Sequence, residues 1–224
     1  KRFLPEFAGE GRDRVTIRHL LTHVSGLPDQ LPENNSLRKS HAGLSEFVAG
    51  AVRVPLSFPA GTKYQYSSMG ILLASRIAEV ISGASILELV ERAVFQPFGM
   101  KHSAQGLGRF AMRDMVSCQT EKAAPESGAG DPSAKDWDWN SEYWRKLGAP
   151  WGGTHASAPD VGRFLAEFLF EKGSALKPET SRLMIRNHNE AGLTPRGLGF
   201  GIAAAISTPE CSDRTFGHTG STGT

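Results

Sequence analysis

The sequence predicts an α+β fold, in which helices are grouped early in the chain and a small antiparallel sheet follows. Three observations indicate this class. Helical patterns run through residues 15–100, a second helical group covers residues 157–188, and glycine-rich strand patterns come last. Because helices and strands are segregated and do not alternate as in βαβ units, a doubly wound parallel sheet is disfavoured.

The first two helices are predicted from short apolar stripes and cap signals. Residues 15–28 form a helix that Thr16 caps and that the Gly and Pro at its end terminate. Residues 43–56 form a second helix, with Ser45 as its N-cap.

The next two helices carry clearer signals. Residues 67–83 begin with serines, repeat apolar residues at helical spacing and end at Gly83, which fits a C-cap. Residues 85–100 follow at once, and Ser85 with Glu88 forms a capping box. We expect these two helices to pack as a hairpin.

Residues 119–150 interrupt the helical pattern and are predicted to form a loop or insertion over a cleft. Their first half is rich in Pro, Gly, Ser and Ala, and their second half carries large aromatic side chains. These aromatics either pin the loop onto the core or form one wall of a substrate cleft, and the sequence leaves both open. They are Trp137, Trp139, Tyr143 and Trp144.

The rest of the chain completes the predicted fold. Ser157 and Asp160 open one helix as a capping pair. The elements are helices over residues 157–173 and 178–188 and strands over residues 197–207 and 214–220.

Composition excludes several function classes. The 224 residues are 39% hydrophobic and 21% charged, which is ordinary for a globular chain. The net charge of +2 comes without a basic block, so nucleic acid is not a predicted partner. No run of 18 apolar residues occurs, so no membrane span is predicted.

Two short stretches carry acyl-transfer chemistry. Tyr66 stands at the start of the 67–83 helix, where the helix dipole and nearby positive charge are expected to favour its phenolate and make it a general base. Tyr64 fits the same role, and position alone also fits a core or cleft-lining tyrosine. At a strand end, the tripeptide of His218, Thr219 and Gly220 suits recognition of a carboxylate or an oxyanion.

His19 and His23 could bind a metal, but this is the weaker interpretation of the pair. His19 and His23 are spaced i, i+4 on a predicted helix, but Leu20 stands where a zinc-protease motif has glutamate. We therefore expect these histidines to form hydrogen bonds with neighbouring loops, and we predict neither metal nor cofactor.

A nucleophile is harder to find. Two strings match the S-x-x-K pattern of a lysine-activated serine, at residues 36–39 and 174–177. Both lie in polar surroundings that would not desolvate the lysine enough to lower its pKa. Neither is predicted to react.

Five blocks in order now resemble the serine β-lactamase and penicillin-binding-protein superfamily, in the class-C-like branch that also holds D-Ala-D-Ala peptidases and family VIII esterases. The blocks are "VTIRHLLTHVSGLP" (15–28), "FPAGTKYQYSSMGILLASRIAEVISG" (58–83), "VFQPFGMKHS" (94–103), "WGGTHASAPDVGRFL" (151–165) and the pair "GLGFGI" and "FGHTGSTG" near the end.

The resemblance implies roles for the site residues. Tyr66 matches the tyrosine that moves protons to and from the serine, and His218, Thr219 and Gly220 match the K-T-G-like triad, with histidine for lysine. Ser68 stands where asparagine usually hydrogen-bonds a substrate amide carbonyl, which favours an esterase or a broad hydrolase over efficient β-lactam hydrolysis. The implied partner is a small-molecule or peptide substrate: an ester, a β-lactam or a D-Ala-D-Ala-like amide.

The resemblance also implies that the S-x-x-K serine and lysine precede residue 1. Residues 1–224 are then expected to be one β-lactamase-related domain, incomplete at both ends and inactive alone, with only part of the sheet. The alternatives are a non-catalytic binding module and, less favoured, a histidine-ligated metal hydrolase. The resemblance slightly favours a periplasmic or secreted protein, and an esterase could be cytoplasmic.

Overall fold

The computed structural model describes residues 2–122, 124–128, 130–203, 212 and 215–220. In these residues eight α-helices and four short strands are present. The helices are α1 (Ile17–Leu21), α2 (Asn34–Lys39), α3 (Leu44–Ala51), α4 (Ser68–Ser82), α5 (Ile86–Val90), α6 (Glu142–Leu147), α7 (Ala158–Phe170) and α8 (Pro178–Met184). The strands are β1 (Ser103–Gln105), β2 (Thr154–Ala156), β3 (Gly201–Ile202) and β4 (Phe216–Gly217).

The strands form two antiparallel pairs, β1 with β2 and β3 with β4. The α+β prediction stands, but the strict order of helices before strands is wrong, because β1 and β2 lie between helices. Their three-residue segments are largely polar and have no alternating apolar pattern. Side chains reinforce this pair, since Thr154 donates to Oε1 of Gln105 at 2.6 Å.

Helix α4 is the centre of the helical region, and α1 and α3 pack against it. Its predicted ends are confirmed. The Ser67 hydroxyl accepts a hydrogen bond from the Gly70 amide at 2.8 Å, and Gly83 ends the helix in the left-handed conformation with φ of 71°. An N-cap bond and a left-handed glycine satisfy the terminal backbone groups of the helix.

Helix α5 begins with the predicted capping box of Ser85 and Glu88, then passes into a π-helical turn over Glu91–Phe95. It bends by 82° from α4. The two helices contact each other, but they form a corner instead of the expected hairpin.

Two predicted helix boundaries are wrong. Helix α1 stops at Leu21 because His23 adopts a left-handed conformation with φ of 59°, which a continuing helix cannot accommodate. Helix α3 has Gly43 as its N-cap, and Ser45 lies inside the first turn, where its hydroxyl donates to Glu46.

The described residues between 119 and 150 form loops and short 3-10 turns, and α6 lies among them. The predicted start of α7 is confirmed, since the Ser157 hydroxyl accepts from the Asp160 amide. Phe168 of α7 packs against Phe200 and Ile202 of the β3 region, which joins this helix to the second strand pair. The remainder of the predicted 197–207 and 214–220 strands lies partly outside the described residues.

Within the described part of the chain, no single helix is long and apolar enough to cross a membrane; the bent pair Ser68–Ser82 and Ile86–Phe95 meets the length and composition test only when taken together.

Candidate active site

The sequence-predicted site residues meet in one cleft with a volume of about 450 Å³. Segments from distant parts of the chain form its walls. The residues that line it are Asp29, Gln30, Arg38, Tyr66, Ser68, Ala124, Glu126, Trp139, Trp144, Trp151, Gly152, His218, Thr219 and Gly220. All five residues predicted for the site, Tyr66, Ser68, His218, Thr219 and Gly220, are among them.

Tyr66 precedes the N-cap of α4, and its ring lies over the imidazole of His23, with ring centroids 4.3 Å apart. On its other side the His218 ring lies at 5.8 Å. Tyr64 meets His23 edge-on at 6.2 Å and does not line the cleft formed by the described residues. Of the two candidate tyrosines, Tyr66 is therefore the one that faces the site.

The expected lowering of the Tyr66 pKa is wrong for this arrangement. Burial raises the pKa of the Tyr66 phenol, and the negative charge of Asp29 adds to the increase. The positive charge of Arg196 opposes it. A nearby positive charge is present, as expected, but desolvation and the Asp29 carboxylate, which no local sequence pattern reveals, favour the neutral phenol more strongly.

His23 is a buried, neutral support for Tyr66. Its Nδ1 accepts a hydrogen bond from the Ser67 amide at 3.2 Å, so the proton of the neutral ring lies on Nε2. Burial lowers the pKa of His23 to about 3, and the positive charge of Arg196 contributes. The expected hydrogen bond to a neighbouring segment is confirmed for His23, whereas the His19 ring accepts from the amide of Thr16, the N-cap of its own helix.

Ser68 lines the cleft, but its hydroxyl is already committed. Both its amide and its hydroxyl donate to Oδ1 of Asp29, at 2.8 and 2.6 Å. The Gln30 amide donates to the Ser68 oxygen at 3.4 Å, while Oε1 of Gln30 is buried without a partner among the described residues. The free acceptor at this position therefore belongs to Gln30.

The second strand pair positions His218 immediately after β4. Its Nδ1 lies 2.6 Å from the Thr219 carbonyl, so Nδ1 is the donor and Nε2 is the free nitrogen of the neutral ring. Partial desolvation lowers the pKa of His218, the bond to Thr219 opposes this, and the charge of Arg196 reinforces it. His218 is consequently a poor permanent cation at neutral pH.

Sequence reasoning missed Arg196, which supplies a permanent positive charge beside Tyr66. Its backbone is held by Asn187 and His188, and its guanidinium carbon lies 6.0 Å from the centre of the Tyr66 ring. The side chain is buried, and Nε and Nη2 have no partner in the described part of the structure. The sequence signal was an arginine directly before the glycine-rich "GLGFGI" segment.

Both interpretations of the aromatic segment hold in part. Trp137 is buried and does not line the cleft of the described residues, whereas Trp139 and Trp144 form one wall of it. Trp151, the first residue of the 151–165 block, extends this wall and packs on Trp144, with ring centroids 6.0 Å apart.

None of the serines and lysines of the two S-x-x-K strings lines this cleft, although Arg38 between Ser36 and Lys39 does. Ser36, Lys39, Ser174 and Lys177 are all exposed, as expected for side chains that do not react. No cluster of three or more His, Cys, Asp or Glu side chains suited to a metal is found where the structure describes the chain.

A family model described as Beta-lactamase matches residues 1–224. The chain belongs to the beta-lactamase family. Among curated relatives, esterase EstB of Burkholderia gladioli is 29% identical over 255 residues, covering 98% of this chain and 62% of the esterase. Penicillin-binding protein 4* of Bacillus subtilis is 36% identical over 106 residues, covering 46% of this chain and 23% of that protein.

Solved structures confirm the β-lactamase/transpeptidase-like fold. A penicillin-binding protein homolog from Caulobacter crescentus matches with a TM-score of 0.69 at 20% identity, covering 98% of this chain and 63% of its own. A D-amino acid amidase from Ochrobactrum anthropi SV3 matches with 0.68 at 22%, covering 89% and 57%. This chain covers less than two thirds of the length of each of these relatives.

Proposed function

We propose that the protein containing this chain is a serine hydrolase that acts through an acyl-enzyme on an ester, a β-lactam or a D-Ala-D-Ala-like amide. The observation that carries the proposal is the meeting of Tyr66 with the His218–Thr219–Gly220 strand end in one cleft. Membership of a family with relatives named as an esterase and a carboxypeptidase supports the same chemistry.

In this proposal the nucleophilic serine and its lysine lie outside residues 1–224. The serine oxygen attacks the substrate carbonyl carbon while its one proton passes through Tyr66 to the neutral lysine; the same proton then returns through Tyr66 to the leaving group as the bond to the carbonyl carbon breaks. Water then attacks the acyl-enzyme and restores the serine. One backbone N–H near Thr219 and one from the serine itself would bind the oxyanion.

In this proposal Arg196 provides the permanent positive charge near Tyr66 that His218 of the H-T-G triad does not provide. A phenolate at Tyr66 is disfavoured by burial and by Asp29, and the nearby guanidinium offsets part of this penalty while Tyr66 passes its proton on and carries negative charge. We assign no cofactor or metal to the reaction.

Ser68 favours an ester substrate over a β-lactam. Its hydroxyl hydrogen is donated to Asp29, so it cannot also donate to a substrate carbonyl in this arrangement. Gln30, with its unpaired Oε1, and Asp29, whose Oδ2 makes no bond to Ser68, are groups on this wall that can accept a substrate N–H.

The test uses the full-length protein with p-nitrophenyl butyrate, a chromogenic cephalosporin and a fluorophosphonate label. We expect ester turnover faster than cephalosporin turnover, and one labelled serine that maps outside residues 1–224. Absence of both turnover and label would overturn the hydrolase and favour a non-catalytic binding module. A label on Ser36 or Ser174 would overturn the placement of the nucleophile.

A further inference from the structure

Three basic side chains at the end of α2, or just after it, lie against three aromatic rings of the 119–150 segment. A cation over an aromatic face is attracted by the ring quadrupole, most strongly over an indole. Of the three rings, only that of Trp144 lines the active-site cleft formed by the described residues. The pairs are Arg38 with Trp144 at 3.8 Å, Lys39 with Trp137 at 5.7 Å and His41 with Tyr143 at 4.6 Å, each measured to the centre of the aromatic ring.

The contact with Trp144 is what orients the Arg38 guanidinium. Arg38 is 1% exposed, and its Nε and Nη1 are buried without a hydrogen-bond partner among the residues that the structure describes. Glu126 acts on it electrostatically and Asp29 lines the same cleft, but no ion pair of the described residues includes Arg38. Burial lowers the pKa of Arg38 to about 10, so the group is still a cation at neutral pH.

The wall to which Trp144 belongs is thin. Trp139, Trp144 and Gly152 line the cleft and also a second hollow of about 780 Å³, so these residues separate the two spaces. A Cβ added at Gly152 would meet nothing closer than Cζ2 of Trp144, at 3.9 Å, so the backbone does not press on the indole. Core side chains are held by dense packing, and a ring between two hollows has less of it. The position of the indole therefore depends strongly on Arg38.

We propose that Arg38 is a positioning residue that stacks on Trp144, fixes the wall of the cleft and thereby limits the size of the substrate group that the cleft accepts. The inference rests on the proposed hydrolase function and concerns its selectivity. Without the stack, the indole is free to move towards the second hollow, and the cleft widens.

The kinetic test uses esters of different size on the full-length protein. One series varies the acyl group, p-nitrophenyl acetate against p-nitrophenyl 2-naphthoate, and the other varies the leaving group, phenyl acetate against 2-naphthyl acetate. The variants are Arg38→Met and Arg38→Lys. Lys39→Met is the matched control, because it removes the next cation of the same helix, whose ring, Trp137, does not line the described cleft.

We expect Arg38→Met to raise the ratio of kcat/KM for the naphthyl ester to that for the small ester by about 10-fold in one series, mainly through KM. The value for the small ester should stay within about 3-fold of the parent, because the reacting groups are unchanged. Arg38→Lys keeps the charge but not the planar group and should raise the ratio less. An unchanged ratio in both series, or the same rise in Lys39→Met, would overturn the role.

A double-mutant cycle tests whether Arg38 acts through Trp144. Trp144→Ala removes the ring and should raise the ratio by itself, and adding Arg38→Met to it should then change the ratio by less than about 2-fold. Two independent, multiplying effects would contradict the proposal. Thermal unfolding reports which variants fold, and Arg38→Lys completes the cycle if Arg38→Met does not fold.

A binding measurement separates this proposal from the hydrolase itself. Fluorine NMR of protein labelled with 5-fluorotryptophan needs no turnover, and Trp144→Phe identifies the signal of Trp144. On titration with benzamide and with 2-naphthamide, we expect folded Arg38→Met to favour the larger amide more than the parent protein and Lys39→Met do. If no ester is cleaved but this shift in preference holds, the hydrolase fails and the positioning role stands. If the ratio of the two affinities is the same in Arg38→Met as in the parent, the positioning role fails.

Discussion

Buried arginines are paired differently at the periphery and in the cleft. At the periphery, Arg12 is 4% exposed, and its Nη2 donates to the carbonyls of Arg53 and Val54 at 2.7 and 2.9 Å. Arg145 is equally buried and donates to the Val116 carbonyl at 2.8 Å. These guanidinium groups tie loops to the framework.

At the active site, Arg38 lines the cleft and Arg196 lies beside Tyr66, and both are as deeply buried as Arg12. Each leaves two guanidinium nitrogens without a partner within the described residues, whereas Arg12 leaves only Nε unpaired. Both lie against an aromatic ring, that of Trp144 or Tyr66. Because the four arginines are similarly buried but differ in their hydrogen bonds, we infer that they have different roles. Paired arginines stabilise the fold, whereas unpaired ones cost stability and are explained by what the cleft binds or does.

The largest loss of activity should come from changing Tyr66, whose ring Arg196 faces. Replacing Tyr66 by Phe removes only the hydroxyl, and we expect kcat/KM for p-nitrophenyl butyrate to fall by about 10²- to 10⁴-fold, as for loss of a general acid–base group. Tyr64→Phe is the matched control and should change activity by less than about 3-fold, because Tyr64 does not line the described cleft. Similar losses in both variants would remove the distinction between the two tyrosines.

Much of this site could be predicted from the sequence, because the residues that determine it lie close together in the chain. The N-cap at Ser67 and the left-handed Gly83 depend on neighbouring residues, so α4 and the position of Tyr66 at its start were predictable. His218, Thr219 and Gly220 form a contiguous motif and were found in the same way. Ser68 was found only through its place in the family pattern.

Other parts depend on contacts between distant segments. The left-handed conformation of His23 accompanies a bond to the Ser67 amide, which no local pattern around residue 23 encodes. The Tyr66 pKa depends on Asp29 and Arg196, and neither adjoins it in sequence. Arg38 had one usable signal: it is spaced i, i+4 from Asn34, and both are buried on one face of α2.

A smaller effect is expected from His23, which should make the free energy of unfolding depend on pH. Unfolded histidine binds a proton below pH 6.5, while folded His23 stays neutral until its pKa of about 3, so stability is lost as pH falls from 6.5 towards 3. Between pH 7 and pH 5 this loss reaches about 2 kcal/mol. Chemical denaturation at both pH values should show that His23→Asn removes most of this loss of stability, because Asn does not titrate. Asn is the replacement because it tolerates a left-handed backbone.

His41→Asn is the matched control for this measurement. His41 has a similar left-handed conformation, with φ of 54°, but its side chain is largely exposed and stacks on Tyr143. The control should retain the pH dependence of the parent protein. A His23→Asn variant that keeps the same pH dependence would show that His23 is protonated in the folded state.

The contrast between paired and unpaired arginines is tested most directly by measuring unfolding free energy and kcat/KM together for Arg12→Met and Arg196→Met in the full-length protein. Arg12→Met should lose about 2–3 kcal/mol of stability, because it removes charge-assisted hydrogen bonds to the carbonyls of Arg53 and Val54, and should keep its activity. Arg196→Met should keep its stability within about 1 kcal/mol and lose about 10- to 100-fold in kcat/KM, as for a charge removed from beside Tyr66. If Arg196→Met instead unfolds as readily as Arg12→Met while its folded fraction remains fully active, the buried cation of the cleft belongs to the framework and the account is contradicted.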